Sequence, residues 1–231
     1  MLFSDKKKII LELLEQQKYL LKRFYARNIL RMDLEYFSFE GSDKKYKYFI
    51  HNYNMGYFCR RYSERTVELA LADEWLNICP DSWEIGAVTP YYWPKRVLNV
   101  IDPTDTHQLV NYHGSLFDFD LSGKDLLLIS TIEHIGQPQY GLEEKVDAVQ
   151  ALEKIAAEAD NFLISFPVGW NSLLDDFVFS GGADGLCNVR FLARNKYELW
   201  ESIPSKYARL PYAGGKPWAN SVAILERGNN L

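Results

Sequence analysis

The sequence predicts an α/β protein built on a doubly wound, mostly parallel sheet. From residue 65 onward, strand-like and helix-like stretches alternate along the chain, which is typical of a parallel sheet with helices on both faces. Residues 125–129 and 161–166 are continuous apolar runs, and such runs are typical of strands buried on both faces. The length of 231 residues suits one such domain with an added segment.

An N-terminal helix and β-hairpin extension is predicted over residues 1–63, and the main domain over residues 64–231. From Ser4, which can cap a helix, to about Arg31, apolar residues recur at helical spacing. The residues of this apolar face are Ile10, Leu13, Leu14, Leu20, Leu21 and Phe24. We expect this face to pack on the body of the protein, and a dimer contact or a substrate lid is the alternative.

Two strand-like runs follow the helix, over residues 34–39 and 45–51. Aromatic alternation and a short polar connection at residues 41–43 predict a β-hairpin. Its tyrosines are expected to form a packed aromatic cluster, with capping of a ligand pocket as the alternative. These tyrosines are Tyr36, Tyr46, Tyr48 and Tyr53.

The main domain is predicted to contain two helices and seven strands. The helices are expected at 65–76 and 142–159, and the strands at 81–86, 97–101, 115–117, 125–129, 161–166, 189–193 and 221–225. In open α/β sheets, ligands bind outside the carboxyl ends of the strands. The residues that end the strands are therefore the candidates for a binding site.

Composition and charge exclude several classes of function. The net charge of −5 gives no broad basic surface for a phosphate backbone, so we expect a small-molecule substrate and no nucleic acid. The three cysteines lie far apart in the sequence, and no two of the four histidines have the helical spacing of a metal-ligand pair, so we expect no metal site. Free thiols fit a reducing compartment, and no run approaches a membrane span, so we expect a cytoplasmic protein that binds no membrane.

Acidic and aromatic residues stand at the ends of the predicted strands. Asp102 ends the second strand, where a carboxylate can accept hydrogen bonds from both hydroxyls of a ribose; capping is the alternative. Asp118 and Phe119 end the third, where they could contact an adenine, unless Phe119 is a core residue. Asp125–Gly136 reads DLLLISTIEHIG and places Ser130 and His134 after the fourth strand.

On these residues the chain resembles class I S-adenosylmethionine (SAM) dependent methyltransferases over roughly residues 65–227. DLLLISTIEHIG is similar to the fourth-strand motif of such enzymes, and residues 64–68 are similar to the helix before their first motif. Residues 166–171 and 216–220 look like later motifs of a bacterial subgroup whose first loop is poor in glycine. The resemblance implies a Rossmann-like fold and SAM as cofactor.

The resemblance also implies roles for individual residues. The cofactor contacts would come from Glu84, Gly86, Asp102, Asp118, Phe119 and Ser130. Glu84 would orient the first loop, and His134 would face the acceptor as a general base or serve a structural role. The substrate candidates are Tyr140, Asn171 and Asp175.

The first loop departs from the family pattern Glu-x-Gly-x-Gly-x-Gly. Only Glu84 and Gly86 match, and residues 87–90 read Ala-Val-Thr-Pro in place of further glycines. One interpretation is an enzyme that transfers a methyl group from SAM to oxygen or nitrogen of a small polar metabolite, such as a sugar, a sugar nucleotide or a glycan-phosphate intermediate. The other is a catalytically degenerate binding or assembly protein. A third and weaker interpretation is another nucleotide-dependent enzyme. Each interpretation is compatible with a homo-oligomer.

Overall fold

The structure, a computed structural model, describes residues 2–51, 63–93, 96, 99–137, 146–212 and 219–228. Five α-helices lie in these ranges: α1 (Leu2–Asn28), α2 (Arg65–Ile78), α3 (Ala148–Glu158), α4 (Ser172–Phe179) and α5 (Ser205–Ala208). Nine strands lie in the same ranges: β1 (Tyr36–Ser38), β2 (Lys45–Lys47), β3 (Trp83–Ile85), β4 (Asn99–Ile101), β5 (Asp125–Ile129), β6 (Asn161–Pro167), β7 (Asn188–Arg194), β8 (Trp200–Ser202) and β9 (Ser221–Arg227).

Strands β3 to β9 form a seven-stranded sheet in the order β4-β3-β5-β6-β9-β7-β8. Strands β4, β3, β5 and β6 run parallel, whereas β9 is antiparallel to β6 and β7, and β8 is antiparallel to β7. The predicted α/β class is confirmed, and the sheet is mixed. Because β4, β3 and β5 are parallel neighbours, their carboxyl ends lie side by side at one end of the sheet.

Helices cover both faces of this sheet. Leu127 and Ile129 of β5 pack in the hydrophobic cluster that contains α2, while Leu126 and Leu128 pack in the cluster that contains α3 and α4. Successive side chains of a strand point to opposite faces, so an unbroken apolar strand supplies both clusters at once. This explains why the continuous apolar runs of the sequence located β5 and β6.

The predicted hairpin is confirmed as β1 and β2, which pair antiparallel with Phe37 opposite Tyr46. The rings of these two residues stack with centroids 5.3 Å apart, and Tyr48 lies 5.3 Å from Phe37. Phe37 and Tyr46 are buried in the cluster that contains α2. Phe37, Tyr46 and Tyr48 thus form a packed cluster, whereas Tyr36 is exposed and Tyr53 lies outside the described residues.

Helix α1 differs from expectation, because its apolar face does not pack on the body of the protein. The predicted inward residues are the exposed ones: Ile10, Leu13, Leu14, Leu20, Leu21 and Phe24. Tyr19 and Ala26, on the opposite side, are buried instead, and Arg23 donates to the Leu34 carbonyl over 2.8 Å. Because Ala26 is small and buried, α1 can lie close to the rest of the chain on that side. The six larger apolar residues of the predicted face are exposed to solvent.

Five further elements differ from the sequence prediction. Residues 115–117 form no strand; they belong to a 3-10 turn, Leu116–Asp118, because the Ser115 hydroxyl accepts the Phe117 N–H and caps it. Strand β8 and helices α4 and α5 were not predicted. Helix α3 begins at Ala148 with a capping box between Asp147 and Gln150. Residues 142–145 of its predicted range lie outside the described residues.

Candidate functional site

A cavity of about 300 Å3 opens at the carboxyl ends of β3, β4 and β5. Its wall contains the predicted residues Gly86, Asp102, Ser130 and His134, together with Arg65 from the start of α2. Four residues predicted from the sequence therefore lie together at one end of the sheet. The cavity lies where three parallel strands end, which is the usual ligand position in open α/β sheets.

Glu84 lies behind the first loop and not in the cavity wall. Its carboxylate accepts the N–H groups of Val88 (3.1 Å) and Thr89 (2.7 Å), and it also accepts the Thr89 hydroxyl. The side chain is fully buried, and this burial raises the pKa of Glu84 to about 7. Glu84 thus fixes the path of the loop.

Gly86 is required by its backbone and by its neighbour. Its φ is +83°, a conformation that favours glycine, and its N–H donates to the Ile101 carbonyl over 2.8 Å. A Cβ atom at this position would lie 2.5 Å from Thr131 Cγ2. Thr131 fills the space that a side chain would take, and Gly86 lines the cavity with its backbone.

Asp102 holds two loops together at the end of β4. Its Oδ1 accepts the N–H groups of Thr104 and Asp105, each over 2.8 Å, and its Oδ2 accepts the Ala87 N–H over 3.0 Å. A carboxylate oxygen has room for two hydrogen bonds, so Oδ2 can accept one more. Asp102 is half-buried and lines the cavity, which leaves this oxygen accessible to a ligand.

Asp118 and Phe119 do not line the cavity. Asp118 is exposed, and the Phe119 ring packs 4.7 Å from the Trp83 ring and 4.8 Å from the Tyr112 ring. Residues 114–116 form the wall in their place. The expected adenine contact is therefore not supported by this placement, and Phe119 takes the core-packing alternative.

Ser130 is placed by an unusual backbone conformation, with φ of +44°. Its hydroxyl donates to Glu68 Oε1 over 2.7 Å, and the Ser165 hydroxyl donates to the same oxygen over 3.0 Å. The strand ends of β5 and β6 are thereby tied to α2. Ser130 lines the cavity, but its hydroxyl donates to Glu68, which is not part of the cavity wall.

His134 lines the cavity beside an aromatic side chain. Its ring lies 5.3 Å from the Trp170 ring, and its Nε2 lies 3.6 Å from Glu133 Oε1. Burial, followed by the positive charge of Arg65, lowers the pKa of His134 to about 4. The imidazole is therefore neutral at pH 7, and it is a weaker proton acceptor than an unperturbed histidine.

The substrate candidates hold the structure together outside the cavity wall. Asn171 caps α4 by accepting the Leu174 N–H (3.1 Å) and donates to the Glu133 carbonyl (2.9 Å). Asp175 accepts the Gly169 N–H over 2.8 Å, and its burial raises the pKa of its carboxyl. Both are buried and neither lines the cavity, while Tyr140 lies outside the described residues.

The sequence reasoning missed a group of buried ionisable residues around Arg65. Arg65 Nη1 lies 3.3 Å from Glu68 Oε2, and the charges of Glu64 and Glu133 also act on Arg65. Burial raises the pKa of Glu64, and it raises that of Glu133 further. The group could have been suspected from Glu64, Arg65 and Glu68, three charges at the start of an otherwise apolar helix.

Arg65 lines the cavity, but its Nε and Nη1 atoms are buried behind the wall. Nη1 faces Glu68 Oε2 there, and neither atom makes a hydrogen bond within the described residues. The guanidinium charge lies at the cavity wall, where it favours an anionic group of a ligand.

Two arrangements are not found within the described ranges. No group of three or more His, Cys, Asp or Glu residues there could hold a metal ion. No helix in those ranges combines the length and the apolar character needed to cross a membrane.

Comparison with known proteins gives little similarity. No family model matches the chain, and a search of curated proteins finds no match. A chain from a solved structure, "Structure of the Pnkp1/Rnl/Hen1 RNA repair complex", aligns with a TM-score of 0.39 and 10% identity. The alignment covers 71% of this chain and 42% of that chain, so this chain matches less than half of that protein's length. This similarity is too low to assign a function.

Proposed function

We propose that this protein is a SAM-dependent methyltransferase that acts on oxygen or nitrogen of a small polar metabolite. The observation that carries the proposal is the cavity at the ends of β3, β4 and β5, where Gly86 exposes backbone and Asp102 presents a carboxylate. A sugar, a sugar nucleotide or a glycan-phosphate intermediate is the proposed acceptor class. The proposal includes a doubly wound, Rossmann-like fold, and the four parallel strands and the helices on both faces support it.

The wall residues fit the parts of SAM. Asp102 Oδ2 would accept a ribose hydroxyl, and residues 114–116 would lie along the adenine. The methionine portion would lie along the Gly86 backbone, and the charge of Arg65 would attract its carboxylate. The cavity volume of about 300 Å3 is at the lower end of the range for small-molecule sites.

The bound cofactor would supply an electrophilic methyl group. Methyl transfer depends mainly on positioning, so the contribution of this chain would be to hold the acceptor and exclude water. His134 is neutral and faces the cavity, and Trp170 packs on it, so this pair would position the acceptor. The low pKa of His134 makes it a hydrogen-bond acceptor for a hydroxyl and only a weak base.

The test is isothermal calorimetry of the full chain with SAM and, separately, with its product S-adenosylhomocysteine. Micromolar binding of either ligand is the expected result. Nucleotide sugars in the same panel distinguish another nucleotide-dependent enzyme, which would bind them and not SAM. A folded protein that binds none of these ligands would contradict the proposal.

A second candidate is an assembly protein with a degenerate methyltransferase-like fold. The observation that favours it lies in the first loop, where the N–H groups of Ala87, Val88 and Thr89 are already bound by Asp102 and Glu84. These three N–H groups are therefore not available to hydrogen-bond a ligand. This candidate predicts no cofactor binding together with a self-association surface.

We also propose that the protein acts in the cytoplasm on a small molecule, without nucleic acid or membrane partners. Cys79 and Cys187 are free thiols, which fits a reducing compartment. The net charge of −5 agrees with a partner other than nucleic acid. Filter binding with RNA and with DNA tests this, and salt-sensitive retention of either would contradict it.

A further inference from the structure

The exposed side of α1 carries a symmetric apolar stripe. Its residues are Ile10, Leu13, Leu14, Leu20, Leu21 and Phe24, which are between 49% and 70% exposed. They are spaced evenly about Gln17: Ile10 precedes it by as many residues as Phe24 follows it, and Leu14 and Leu20 are related in the same way. A helix with this spacing presents the same pattern when read from either end.

We propose that two copies of this chain associate by packing these stripes against each other in antiparallel orientation, about a two-fold axis near Gln17. Ile10 would then contact the partner's Phe24, and Leu14 would contact the partner's Leu20. A two-fold interface uses the same patch on both subunits, so the patch must complement itself. The even spacing about Gln17 meets this requirement.

The area of the stripe is sufficient for a stable pair. Half-exposed side chains of this size offer roughly 100 Å2 each, so the six residues offer roughly 600 Å2 per copy and roughly 1,200 Å2 in the pair. That total reaches the lower end of the range for specific interfaces. The stripe on one copy is as large as the largest apolar patch on a typical monomer, and such patches are often functional.

The opposite side of α1 is attached to the rest of the chain, so the stripe cannot simply turn inward. Tyr19 is 3% exposed and Ala26 is fully buried. Arg23 donates to the Leu34 carbonyl over 2.8 Å, and Lys22 pairs with Glu198 over 2.9 Å. These contacts fix the direction of the helix and keep the stripe facing outward.

Gln17 favours a second helix over a lipid surface as the occupant of the stripe. A glutamine at the centre of the stripe would lose its hydrogen bonds in hydrocarbon, whereas on the two-fold axis it can pair with the same residue of the partner. A single polar residue in such a seam also fixes the register of two helices. The basic residues in the sequence of α1, Lys18 among them, would suit an anionic membrane, so membrane binding is an outcome of the test.

Sedimentation equilibrium of the full chain tests the association. Wild-type protein is expected to have twice the monomer mass of 26.9 kDa. The variant Leu14→Glu/Leu20→Glu is expected to weaken the dimer at least about a hundredfold, because four carboxylates would be buried in the seam. Leu173→Glu is the matched control, since Leu173 is an exposed leucine (51%) on α4, and it should leave the dimer unchanged.

Disulfide cross-linking tests the orientation. In an antiparallel pair, position 10 lies about 21 Å along the axis from the partner's position 10, so Ile10→Cys alone should add no cross-link to the wild-type background. A mixture of the Ile10→Cys and Phe24→Cys proteins should cross-link. Cross-linking by Ile10→Cys alone would show a parallel pair and overturn the proposed geometry.

Two results would overturn the proposal as a whole. One is a wild-type monomer at all concentrations. The other is a monomer that sediments with vesicles containing phosphatidylserine and loses this binding in Leu14→Glu/Leu20→Glu, which would assign the stripe to a membrane. Neither measurement involves SAM, so both are independent of the proposed activity.

Discussion

Gly86 and Thr131 approach each other so closely that no side chain fits at position 86. A Cβ atom there would lie 2.5 Å from Thr131 Cγ2 and would overlap Thr131 Oγ1. The contact joins the loop after β3 to the loop after β5, and both residues line the cavity. The separation of these two loops therefore sets the width of the proposed SAM site.

We predict that Gly86→Ala abolishes SAM binding and lowers the free energy of unfolding by more than the roughly 1–3 kcal/mol of a strained backbone residue, because the added Cβ also meets Thr131. Gly41→Ala is the matched control, because Gly41 has a similar φ of +76° and no atom within 4 Å of an added Cβ. Calorimetry and chemical denaturation measure the two effects. Equal losses of stability in both variants would show that the approach of Thr131 is unimportant.

The buried carboxyl of Glu84 predicts a pH-dependent stability. Burial raises the pKa of Glu84 from 4.5 to about 7, so its contribution to folding is complete below pH 4.5 and is lost as the pH rises to 7. The difference corresponds to about 3 kcal/mol. Urea denaturation between pH 4.5 and 8 should show a smaller decline in Glu84→Gln than in wild type. Glu153→Gln, at an exposed position on α3, should keep the wild-type decline, and an identical decline in all three proteins would contradict the prediction.

His134 is predicted to remain neutral at all pH values above about 5. Burial and the charge of Arg65 lower its pKa to about 4. NMR titration of the histidine ring signals, with His134→Asn used to assign the resonance, should show no shift for His134 between pH 5.5 and 8. A midpoint near 6.5 would mean that the ring is solvated and can act as a general base in the neutral range.

The charge of Arg65 is predicted to attract the carboxylate of the cofactor. Arg65→Gln removes this charge, so affinity for S-adenosylhomocysteine should fall about tenfold. Affinity for 5′-methylthioadenosine, which lacks the amino acid portion, should change little, and the ratio of the two affinities corrects for any loss of folded protein. Equal losses for both ligands would leave Arg65 with a structural role.

The core of the fold was predictable because each central strand is buried on both faces. The runs at β5 and β6 are mostly apolar, so they stood out in the sequence. Strand β8 was missed because it has three residues and Glu201 and Ser202 are polar. A segment this short and polar resembles a loop in sequence, although its pairing with β7 is local and places Arg194 opposite Trp200.

Residues of the cavity wall were predictable only where they directly follow a strand. Gly86 and Asp102 follow β3 and β4 at once, and both line the cavity. Asp118 was predicted to contact a ligand but does not line the cavity, because Ser115 caps a 3-10 turn at this point of the chain. Arg65 was overlooked because a charged helix residue is normally solvated, and its burial depends on tertiary packing.

The most direct test of the account compares Asp102 with Asp118 in calorimetry with S-adenosylhomocysteine. Asp102→Asn should weaken binding at least about tenfold, because a charge-assisted hydrogen bond to the ribose is lost. Asp118→Asn should bind as wild type, since Asp118 is exposed and outside the cavity wall. Wild-type binding that Asp102→Asn leaves unchanged, or a folded wild type that binds no ligand, would contradict the proposed SAM site.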